Sequence, residues 1–358
     1  MVSNNKILAV ASFFNYEGKI KNIKEYGNGH INKTFLIETT KKKYIFQVIN
    51  SYAFGDIEML MNNIALVTEH LVAQKATTLE VIKTFLGETY YTDKIYFYRM
   101  YSFVDNTVCY EEITDLSLVE KTGAAFGLLH KQLEGLDPKK IFEIIKDFHN
   151  TPVRYKNLIK ASKKDNFHRL QDCQNEFDYI KEQKNNLSLI VDGIKDGSIP
   201  MRITHNDPKI NNVLFDKKTG AVKCVIDLDT IMPGSALYDF GDALRSLFTG
   251  DNEDNEDLSK LKVNFDIYKA FTKGFLSQTY DAMTPREVEL LPMSVYIIAI
   301  ELASRFLEDH LRGDAYFHVS KKNHNLLRAR TQIALAQDVM KNMDELNNIT
   351  KEIYNQFK

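Results

Sequence analysis

Three side chains that carry oxygen atoms follow one another closely in the middle of the sequence. Asp207 is followed five positions later by Asn212, and Asp227 ends the apolar run Cys224–Ile226. Phosphoryl transfer from a nucleotide needs a carboxylate to receive the proton of the acceptor hydroxyl, and it needs oxygen ligands to hold Mg²⁺ against the phosphates. Asp207 as the base, with Asn212 and Asp227 as the metal ligands, would supply that set.

Each of these residues also has an ordinary structural interpretation. An aspartate in a loop commonly forms a turn, and one at the end of a strand commonly caps a neighbouring group. The combination is less ordinary, because the strand Val213–Phe215, the turn Lys217–Gly220 and the strand Cys224–Ile226 follow in order and bring Asp227 back towards the loop. The pattern therefore favours a phosphoryl-transfer site.

The elements before this segment have the composition of strands. Runs of β-branched and aromatic residues predict strands at Thr34–Thr39, Tyr44–Val48, Val81–Phe85 and Ile95–Met100, the first two joined as a hairpin. Between the two pairs, Asp56 is predicted to cap an amphipathic helix that ends near Gln74. Strand, strand, helix, strand, strand indicates a compact α+β region.

A glycine-containing turn precedes the first clear strand. Its sequence is YGNGH, and it places Gly27 and Gly29 beside His30. Glycine allows a backbone turn to approach phosphate groups closely, as in nucleotide-binding loops. An ordinary hairpin turn has the same composition, so this pattern gains its meaning from the acidic residues downstream.

The rest of the chain is predicted to be mostly helical. Ser117 and Glu120 have the spacing of a capping box at the start of a helix that ends near Leu133. The apolar run Leu290–Ala303 is shorter than the roughly 20 residues that span a bilayer, so it is predicted to be a buried helix. The acidic stretch Asp251–Asp257 is predicted to be a solvated loop rather than a metal site.

The segment around Asp207, HNDPKINN followed by a strand ending in VID, resembles the catalytic loop and metal-binding aspartate of the aminoglycoside phosphotransferase and choline kinase superfamily. The longer stretches HNDPKINNVLFD, VIDLDTIMPGSALYDFGDALR and YGNGHINKTFLI are similar to those of the N-acetylhexosamine 1-kinases. The similarity runs from about Tyr26 to Ile333. It implies an α+β, bilobal, protein-kinase-like fold, with a small β-rich nucleotide-binding lobe (residues 1–103) and a larger, mostly helical lobe for catalysis and substrate binding (residues 104–358).

The same resemblance implies roles for residues of the central segment. Asp207 matches the catalytic base, and Asn212 and Asp227 match the Mg²⁺ ligands, with both aspartates lying at the substrate. Three further residues are expected to brace this loop rather than to bind ligands: His205, Asp239 and Arg245.

Nucleotide contacts are implied for Gly27, Gly29 and Gln47. Protein kinases carry a lysine on the strand that corresponds to Tyr44–Val48, where it holds the α- and β-phosphates. Gln47 offers hydrogen bonds but no charge, so Mg²⁺ and backbone amides would have to hold the phosphates.

The segment Arg99–Val104 is predicted to connect the two lobes. In a bilobal kinase such a connection meets adenine through main-chain groups, which makes Met100 and Tyr101 the expected contacts. A plain connection without a ligand would have the same sequence character.

Residues of the acceptor site are expected mainly in the helical lobe. By spacing alone, Glu301, Arg305 and Glu308 describe an exposed helical face with salt bridges. However, SRFLEDHLRGDAYF is similar to the family segment whose arginine and tyrosine meet the sugar. The resemblance therefore implies Arg305 and Tyr316, together with His30, as substrate contacts.

Composition limits the classes of protein that remain. Lys and Arg number 46 against 48 Asp and Glu, which argues against a dedicated nucleic-acid binder. The three cysteines are far apart, without metal-ligand spacing, and the first residues lack a secretion signal, which indicates free thiols in a reducing compartment. We expect a cytoplasmic protein, monomeric or a weak homo-oligomer, without nucleic-acid or membrane partners.

The sequence thus predicts an ATP- and Mg²⁺-dependent kinase that phosphorylates the anomeric 1-OH of an N-acetylhexosamine, GlcNAc or GalNAc. One alternative is a kinase of the same fold for choline, homoserine, an aminoglycoside or another sugar hydroxyl. A choline site would favour an aromatic box, and an aminoglycoside site would favour an acidic surface. The other alternative is an inactive nucleotide-binding scaffold, against which the presence of Asp207, Asn212 and Asp227 argues.

Overall fold

The computed structural model describes residues 4–27, 31–112, 115–250 and 253–358. Its helices are α1 (Asn4–Ala11), α2 (Ser51–Phe54), α3 (Ile57–Ala73), α4 (Leu116–Gln132), α5 (Thr151–Lys164), α6 (Gln174–Glu182), α7 (Leu189–Asp196), α8 (Ala236–Thr249), α9 (Phe265–Thr279), α10 (Pro285–Leu311), α11 (His324–Lys341) and α12 (Met343–Phe357). Its strands are β1 (Ile20–Glu25), β2 (Lys33–Thr39), β3 (Lys43–Ile49), β4 (Tyr91–Thr92), β5 (Phe97–Ser102), β6 (Thr107–Val108), β7 (Arg202–Thr204), β8 (Val213–Asp216), β9 (Val222–Val225) and β10 (Met232–Gly234).

The chain divides into two compact units, each built from several segments. Unit 1 consists of Met1–Val108, Gly135–Lys146 and Leu214–Met232, and unit 2 of Cys109–Glu134, Asp147–Val213 and Pro233–Lys358. Unit 1 holds most of the strands, and unit 2 holds the helices from α4 onwards. The division of roles between residues 1–103 and 104–358 stays a prediction.

An antiparallel sheet forms the centre of unit 1, with the strands in the order β1-β2-β3-β5-β4. β2 and β3 form the predicted hairpin, in which Phe35 lies opposite Phe46. Both side chains are buried, and the ring of Phe14 meets the ring of Phe46 edge-on with centroids 5.9 Å apart. This core fixes the register of β3, and β3 carries Gln47.

The sequence analysis did not predict strand β1. It is an edge strand that pairs with β2, and its burial pattern leaves only Ile20 and Ile23 partly buried. A strand with so few apolar positions carries a weak sequence signal, so the tertiary pairing decides its conformation.

The predicted strand Val81–Phe85 is wrong. The backbone places Val81 and Thr84 in isolated bridges, with Tyr101 and Phe14 respectively, rather than in a continuous ladder. A short apolar run therefore lies along the sheet without becoming one of its strands.

Strand β5 begins at Phe97, two residues later than the predicted start at Ile95. The carboxylate of Asp93 accepts hydrogen bonds from the main-chain N–H groups of Ile95 and Tyr96, at 3.0 and 2.8 Å. Lys94, which lies between Asp93 and Ile95, has a positive φ of 73°. The aspartate thus makes a turn out of residues that look like strand formers.

Helix α3 starts where the sequence predicts. The side chain of Asp56 accepts a hydrogen bond from the main-chain N–H of Met59 at 3.0 Å. Further along, the buried side chain of Asn63 donates to the carbonyls of Phe142 and Ile231, at 2.8 and 3.1 Å. Helix α3 therefore fixes two other backbone segments of unit 1.

The start of α4 corrects the predicted capping box at Ser117. The N-cap is Asp115, whose side chain accepts a hydrogen bond from the N–H of Leu118 at 2.9 Å. Ser117 lies within the first turn of the helix. An equally favoured capping side chain two residues earlier forms the cap that the spacing of Ser117 and Glu120 suggests for Ser117.

Helices α4 and α9 approach each other closely because glycines line their contact. A Cβ atom placed on Gly274 would lie 1.8 Å from the carbonyl oxygen of Glu120, and one on Gly123 would lie 2.3 Å from that of Phe271. This close packing holds α4, and α4 supplies His130 and Phe126 to the site below.

Helix α10 contains the predicted buried run Leu290–Ala303. In the part of the chain that the structure describes, it is the helix long and apolar enough to cross a membrane, but 83% of its apolar window is buried within the protein. It starts with a capping box between Thr284 and Glu287 and continues through Pro292. The prediction of a buried core helix is confirmed.

The acidic stretch after α8 is a loop over its described residues. Asp254 pairs with Lys321 at 3.3 Å and with His324 at 3.1 Å, while Glu256 is exposed. Residues 251 and 252 lie outside the described part of the chain.

Candidate active site

The loop after β7 is held from below by one buried carboxylate. Ser235 caps α8 and places Asp239 in the first turn of that helix. Asp239, 0% exposed, accepts hydrogen bonds from the main-chain N–H groups of His205 and Asn206, at 2.9 and 2.7 Å. The predicted role of Asp239 as a brace for the loop that carries Asp207 is confirmed.

A histidine of α4 keeps this carboxylate charged. Nε2 of His130 lies 2.9 Å from Oδ2 of Asp239. Burial tends to raise the pKa of Asp239, but the contact with His130 and the hydrogen bonds from the loop backbone outweigh it and lower the pKa. The loop therefore rests on a carboxylate that remains ionised at neutral pH.

His205 braces the loop through its ring, as predicted. Its Nδ1 accepts a hydrogen bond from the main-chain N–H of Asp207 at 3.2 Å. The ring is fully buried and meets the edge of Phe126 on α4, with centroids 5.5 Å apart. Burial and these contacts fix the direction in which the backbone delivers the Asp207 side chain.

Asn212 closes the loop from its other end. It ends a short 3-10 turn, Ile210–Asn212, and its Nδ2 donates to the main-chain carbonyl of Asp207 at 2.9 Å. The structure thus brings Asp207 and Asn212 together. Because the amide nitrogen is anchored in this way, the amide oxygen of Asn212 is the atom left to act as a ligand.

Lys209 is a residue of this loop that the sequence analysis missed. Its Nζ lies 2.9 Å from Oδ1 of Asp207. Desolvation tends to lower the pKa of Lys209, but the charge of Asp207 outweighs it and raises the pKa. The signal that could have found Lys209 was its position two residues after Asp207.

Arg245 is an internal residue of α8, as predicted, and it acts through a partner on its own helix. Its Nε donates to Oδ1 of Asp242 at 2.7 Å, and Nη1 lies 3.6 Å from Glu253. Arg245 and Asp242 are both buried, so their opposite charges compensate each other in the interior of unit 2.

Asp227 lies in unit 1, directly after β9. The hairpin of β8 and β9 forms as predicted, and Asp227 follows it with a left-handed backbone, φ 59° and ψ 61°. A 3-10 turn, Leu228–Thr230, comes next. The left-handed conformation is uncommon for a residue with a side chain, so the surrounding contacts must hold it.

Asp229, which follows in that turn, is another residue that the sequence analysis missed. Its carboxylate receives both terminal nitrogens of Arg99, Nη1 at 2.5 Å and Nη2 at 2.9 Å, and also the amide of Asn32. Arg99 is 1% exposed and Asp229 is 4% exposed. Burial alone lowers the pKa of Arg99, but the attraction of Asp229 outweighs it and the pKa is raised.

Gln47 lies beside Arg99 in the sheet. The two residues are register partners in β3 and β5, and Oε1 of Gln47 accepts a hydrogen bond from Nε of Arg99 at 2.8 Å. Nε2 of Gln47 donates to Oγ1 of Thr34 at 2.9 Å. Gln47 is therefore not an isolated amide but a side chain coupled to a buried cation.

Met100 and Tyr101 lie near the end of β5, and their contact with adenine stays a prediction. The carbonyl of Met100 accepts a hydrogen bond from the N–H of Ile82 at 2.8 Å, and Tyr101 bridges Val81. Both side chains are buried.

The glycine-containing turn is described only in part. Gly27 has φ 78°, and a Cβ atom placed on it would meet no atom within 4 Å. Gly27 therefore has the conformational freedom that was predicted to let this turn approach phosphate groups. Gly29 and His30 lie outside the described residues.

Arg305 and Tyr316 belong to one cluster in unit 2. The guanidinium of Arg305 lies over the ring of Phe148 at 5.1 Å and over that of Phe317 at 5.6 Å. Phe317 in turn meets the ring of Tyr316 at 4.9 Å, and Tyr316 is 67% exposed. The structure thus brings the two predicted substrate residues together.

A second arginine joins this cluster. Nε and Nη2 of Arg154 donate to the carbonyl of Phe148, at 3.3 and 3.2 Å. Burial and the neighbouring positive charge of Arg305 lower the pKa of Arg154. The buried Glu301 nearby accepts hydrogen bonds from His149 at 3.0 Å and Thr151 at 2.7 Å.

A cavity of about 390 Å³ lies beside the cluster, between α5 and α10. Its lining is largely polar or cationic, and it includes Asn157, Lys160, Lys164, Glu308 and Arg312. Glu308 is one helical turn from Arg305 on α10 and pairs with Arg312 at 3.1 Å. The surroundings of Arg305 therefore offer donors and cations rather than an acidic surface.

Asn212 in unit 2 and Asp227 in unit 1 each carry an oxygen atom of the kind that Mg²⁺ binds. This cation takes one or two carboxylate or amide oxygens from a protein and keeps several water molecules, so it needs no large cage of side chains. Asn212 offers an oriented amide oxygen, and Asp227 offers a carboxylate at the end of β9.

Comparison with known proteins now places the chain. Residues 22–273 match the phosphotransferase enzyme family (APH), and the chain belongs to that family. The predicted superfamily and fold class are confirmed: an α+β, protein-kinase-like fold with a strand-rich N-terminal region and a larger helical C-terminal part.

Solved structures with the same fold act on different molecules. An aminoglycoside phosphotransferase from Alicyclobacillus acidocaldarius subsp. acidocaldarius matches with a TM-score of 0.63 and 14% identity, over 96% of each chain. A microcompartment-associated aminopropanol kinase matches with a TM-score of 0.61 and 14% identity, over 96% of this chain and 99% of its own. A spectinomycin phosphotransferase in complex with ADP and spectinomycin matches with a TM-score of 0.50 and 14% identity, over 98% of this chain and 97% of its own.

Proposed function

We propose that the protein is an ATP- and Mg²⁺-dependent kinase that transfers the γ-phosphate to the anomeric 1-OH of an N-acetylhexosamine. The observation that carries the phosphoryl-transfer part is the loop of Asp207, which Asp239 and His205 hold from below and Asn212 closes from the side. Such a loop delivers a carboxylate in a fixed direction. Membership of the phosphotransferase family supports the same reaction class.

In this reaction Asp207 accepts the proton of the acceptor hydroxyl and orients its oxygen towards the γ-phosphorus. Phosphoryl transfer asks for positioning and charge stabilisation more than for covalent help, so a preorganised loop contributes directly to the rate. Lys209 lies against the same carboxylate and moves its positive charge to the incoming phosphate when the aspartate engages the hydroxyl.

Asn212 and Asp227 would hold Mg²⁺. When bound, the ion neutralises charge on the phosphates and keeps them aligned for transfer. The amide of Asn212 is oriented by its bond to Asp207, which links the position of the ligand to the position of the base. The ADP complex of the spectinomycin phosphotransferase supports a nucleotide as the phosphate donor.

Gly27 and Gln47 would lie at the nucleotide, with Gly29. Met100 and Tyr101, near the end of β5, would meet adenine. Gln47 contributes hydrogen bonding to the phosphates, since it carries no charge of its own.

The Arg305 cluster supports a neutral acceptor over choline. A quaternary ammonium ion needs aromatic faces that are open to it. In this chain the guanidinium of Arg305 already occupies the faces of Phe148 and Phe317. The aromatic residues are present, but their faces are taken by a cation of the protein itself.

The same cluster disfavours amines such as aminoglycosides and aminopropanol. Arg305 and Arg154 place two positive charges close together, and the carboxylate of Glu301 is buried and engaged by His149 and Thr151. A cationic acceptor would meet repulsion at this surface. A sugar with hydroxyl and acetamido oxygens finds hydrogen-bond donors in Arg305 and Tyr316, with His30 as a further contact.

We also infer that residues 1–103 bind the nucleotide and that residues 104–358 carry the base and the acceptor site. The near-neutral charge balance supports a cytoplasmic enzyme of small molecules, monomeric or weakly self-associating, without nucleic-acid or membrane partners.

A product analysis tests the proposal. The protein is incubated with ATP, Mg²⁺ and, separately, GlcNAc, GalNAc, choline, aminopropanol, homoserine and an aminoglycoside, and the products are examined by phosphorus NMR. Phosphate coupled to an anomeric proton is the expected result. Phosphate on C6 of the sugar, or on an amino alcohol or aminoglycoside, would overturn the assignment of the acceptor, and absence of any product with Asp207 intact would favour an inactive scaffold.

A further inference from the structure

Arg99 is a buried cation that the reaction described above does not use. Its side chain is 2% exposed and lies in β5, away from solvent. Burying a guanidinium is unfavourable unless it is fully paired, so its presence at this position calls for a specific partner.

The partner is Asp229, held through two separate contacts. Nη2 of Arg99 donates a hydrogen bond to Oδ2 at 2.9 Å and Nη1 lies at ion-pair distance from Oδ1, so the two groups form a forked ion pair. The amide of Asn32 adds a bond to the same carboxylate. Asp229 therefore has little freedom to move.

Asp229 lies two residues after Asp227, in the same short turn. Asp227 has a left-handed backbone, with φ 59°, so the direction of its side chain depends on the conformation of this turn. On the far side of the turn, the carbonyl of Ile231 accepts a bond from Asn63 of α3. Arg99 and Asn63 thus both contact the segment that follows Asp227.

Arg99 also reaches the strand position where protein kinases carry a lysine. Its Nε donates to Gln47, so the amide of Gln47 is oriented by a cation on the neighbouring strand. The positive charge that is missing at residue 47 is present one strand away, directed at the aspartates of the 227–229 turn.

We propose that Arg99 is a positioning residue for the metal–nucleotide complex: through its forked pair with Asp229 it fixes the carboxylate of Asp227, and through Gln47 it replaces the missing strand lysine. The inference rests on the proposed function, in which Asp227 is a Mg²⁺ ligand. It assigns Arg99 no contact with the nucleotide. Residues that orient metal ligands typically change metal affinity or activity about 10- to 100-fold when they are altered.

A salt bridge that only stabilises the fold would respond to mutation differently from one that positions a metal ligand. Loss of a structural pair lowers thermal stability and leaves ligand affinity of the folded protein unchanged. Loss of a positioning pair weakens nucleotide binding specifically when the divalent cation is present. The ratio of the ADP dissociation constant in EDTA to that in Mg²⁺, here called the metal factor, separates the two.

The variants are Asp229→Asn, Arg99→Met and Arg99→Lys, with Glu287→Gln as the matched control. Glu287 is a fully buried carboxylate that also receives two nitrogens of an arginine, Arg202. ADP binding is measured by calorimetry with and without Mg²⁺, at a temperature where each variant is folded by circular dichroism. Arg99→Lys keeps the buried charges balanced, so it provides a folded variant if neutralisation prevents folding.

We expect Asp229→Asn and Arg99→Met to lower the metal factor about 10-fold or more, with Arg99→Lys in between, while Glu287→Gln loses thermal stability and keeps the wild-type factor. A wild-type factor in Asp229→Asn or in folded Arg99→Lys would overturn the inference and leave the proposed function intact. A wild-type protein whose ADP affinity does not depend on Mg²⁺ would overturn the proposed function, and this inference with it.

Discussion

The side-chain amide of Asn212 donates a hydrogen bond to the main-chain carbonyl of Asp207, 2.9 Å away. The two residues are five positions apart in the chain, so the bond closes the loop between them into a fixed turn. One residue is the proposed base and the other a proposed metal ligand. Their relative position is thus set by the loop itself before any substrate arrives.

The first prediction concerns the base. Asp207→Asn is expected to lower turnover by about 10²- to 10⁴-fold, because the amide cannot accept the proton of the acceptor hydroxyl. The ion pair with Lys209 is half-exposed, so the melting temperature is expected to change little. Turnover is measured by coupled release of ADP, and melting by circular dichroism. Turnover within about 3-fold of wild type would remove Asp207 from the role of base.

The second prediction concerns the support of the loop. Asp239→Asn removes a buried charge that pairs with His130 and accepts two main-chain bonds, and it is expected to cost about 3–5 kcal/mol of unfolding free energy. Turnover of the folded fraction is expected to fall as well, since the loop loses its anchor. Urea denaturation and steady-state kinetics measure the two effects.

Asp281→Asn is the matched control for that experiment. Asp281 pairs with Lys131, the residue next to His130, but both side chains are about half-exposed. The change is expected to stay within about 0.5 kcal/mol, because surface pairs contribute little. Equal losses in the two variants would contradict a special role for Asp239.

The third prediction concerns the acceptor. Arg305→Met is expected to raise the KM for the sugar about 10-fold and to leave the KM for ATP unchanged, because the arginine is proposed to bind the acceptor alone. Arg286→Met, near the start of the same helix, where Arg286 pairs with Glu289 at 2.8 Å, serves as the control and is expected to leave both KM values near wild type. A parallel rise in the KM for ATP would show that Arg305 acts on the fold of unit 2 rather than on the sugar.

The fourth prediction concerns pH and stability. His310 is fully buried, and burial followed by the charge of Arg169 lowers its pKa below the usual value near 6.5. The unfolded chain therefore binds a proton at a higher pH than the folded chain does. Stability from this residue is complete above about pH 6.5 and is lost as the pH falls towards the pKa of the folded state.

His310→Leu removes this proton linkage. The free energy of unfolding in urea is measured between about pH 7.5 and about pH 5, a range that spans the usual titration of histidine. As the pH falls, the variant is expected to lose less unfolding free energy than the wild type. Other groups near this site, Asp314 and Arg169, remain in both proteins. An identical pH dependence of the two proteins would show that His310 does not titrate on unfolding.

Local sequence patterns determined much of the loop that carries the site. The spacing of Asp207, Asn212 and Asp227 predicts the loop and the hairpin that follow, and the structure has both. Asp56 caps its helix as predicted, and the apolar run within α10 is buried. Such features depend on residues within one or two turns of each other, which is the range that sequence patterns record.

Competition between neighbouring signals limited the prediction of boundaries. Asp115 caps α4 in place of Ser117, and Asp93 forms a turn where β5 was expected to start. Edge strand β1 carries too few apolar residues to be recognised. In each case the competing local structures differ in free energy by about 1 kcal/mol, so tertiary packing decides which of them forms.

Tertiary structure alone decided which distant charges meet. Arg99 and Asp229 are separated by 130 positions, and neither is remarkable in the sequence until folding buries both and forces them to pair. The same holds for Arg305, whose place over Phe148 turns a helical face with apparent salt bridges into a cation resting on aromatic rings. The physical reason is desolvation: the cost of a buried charge is set by the whole fold, and the partner that offsets it is found in space rather than along the chain.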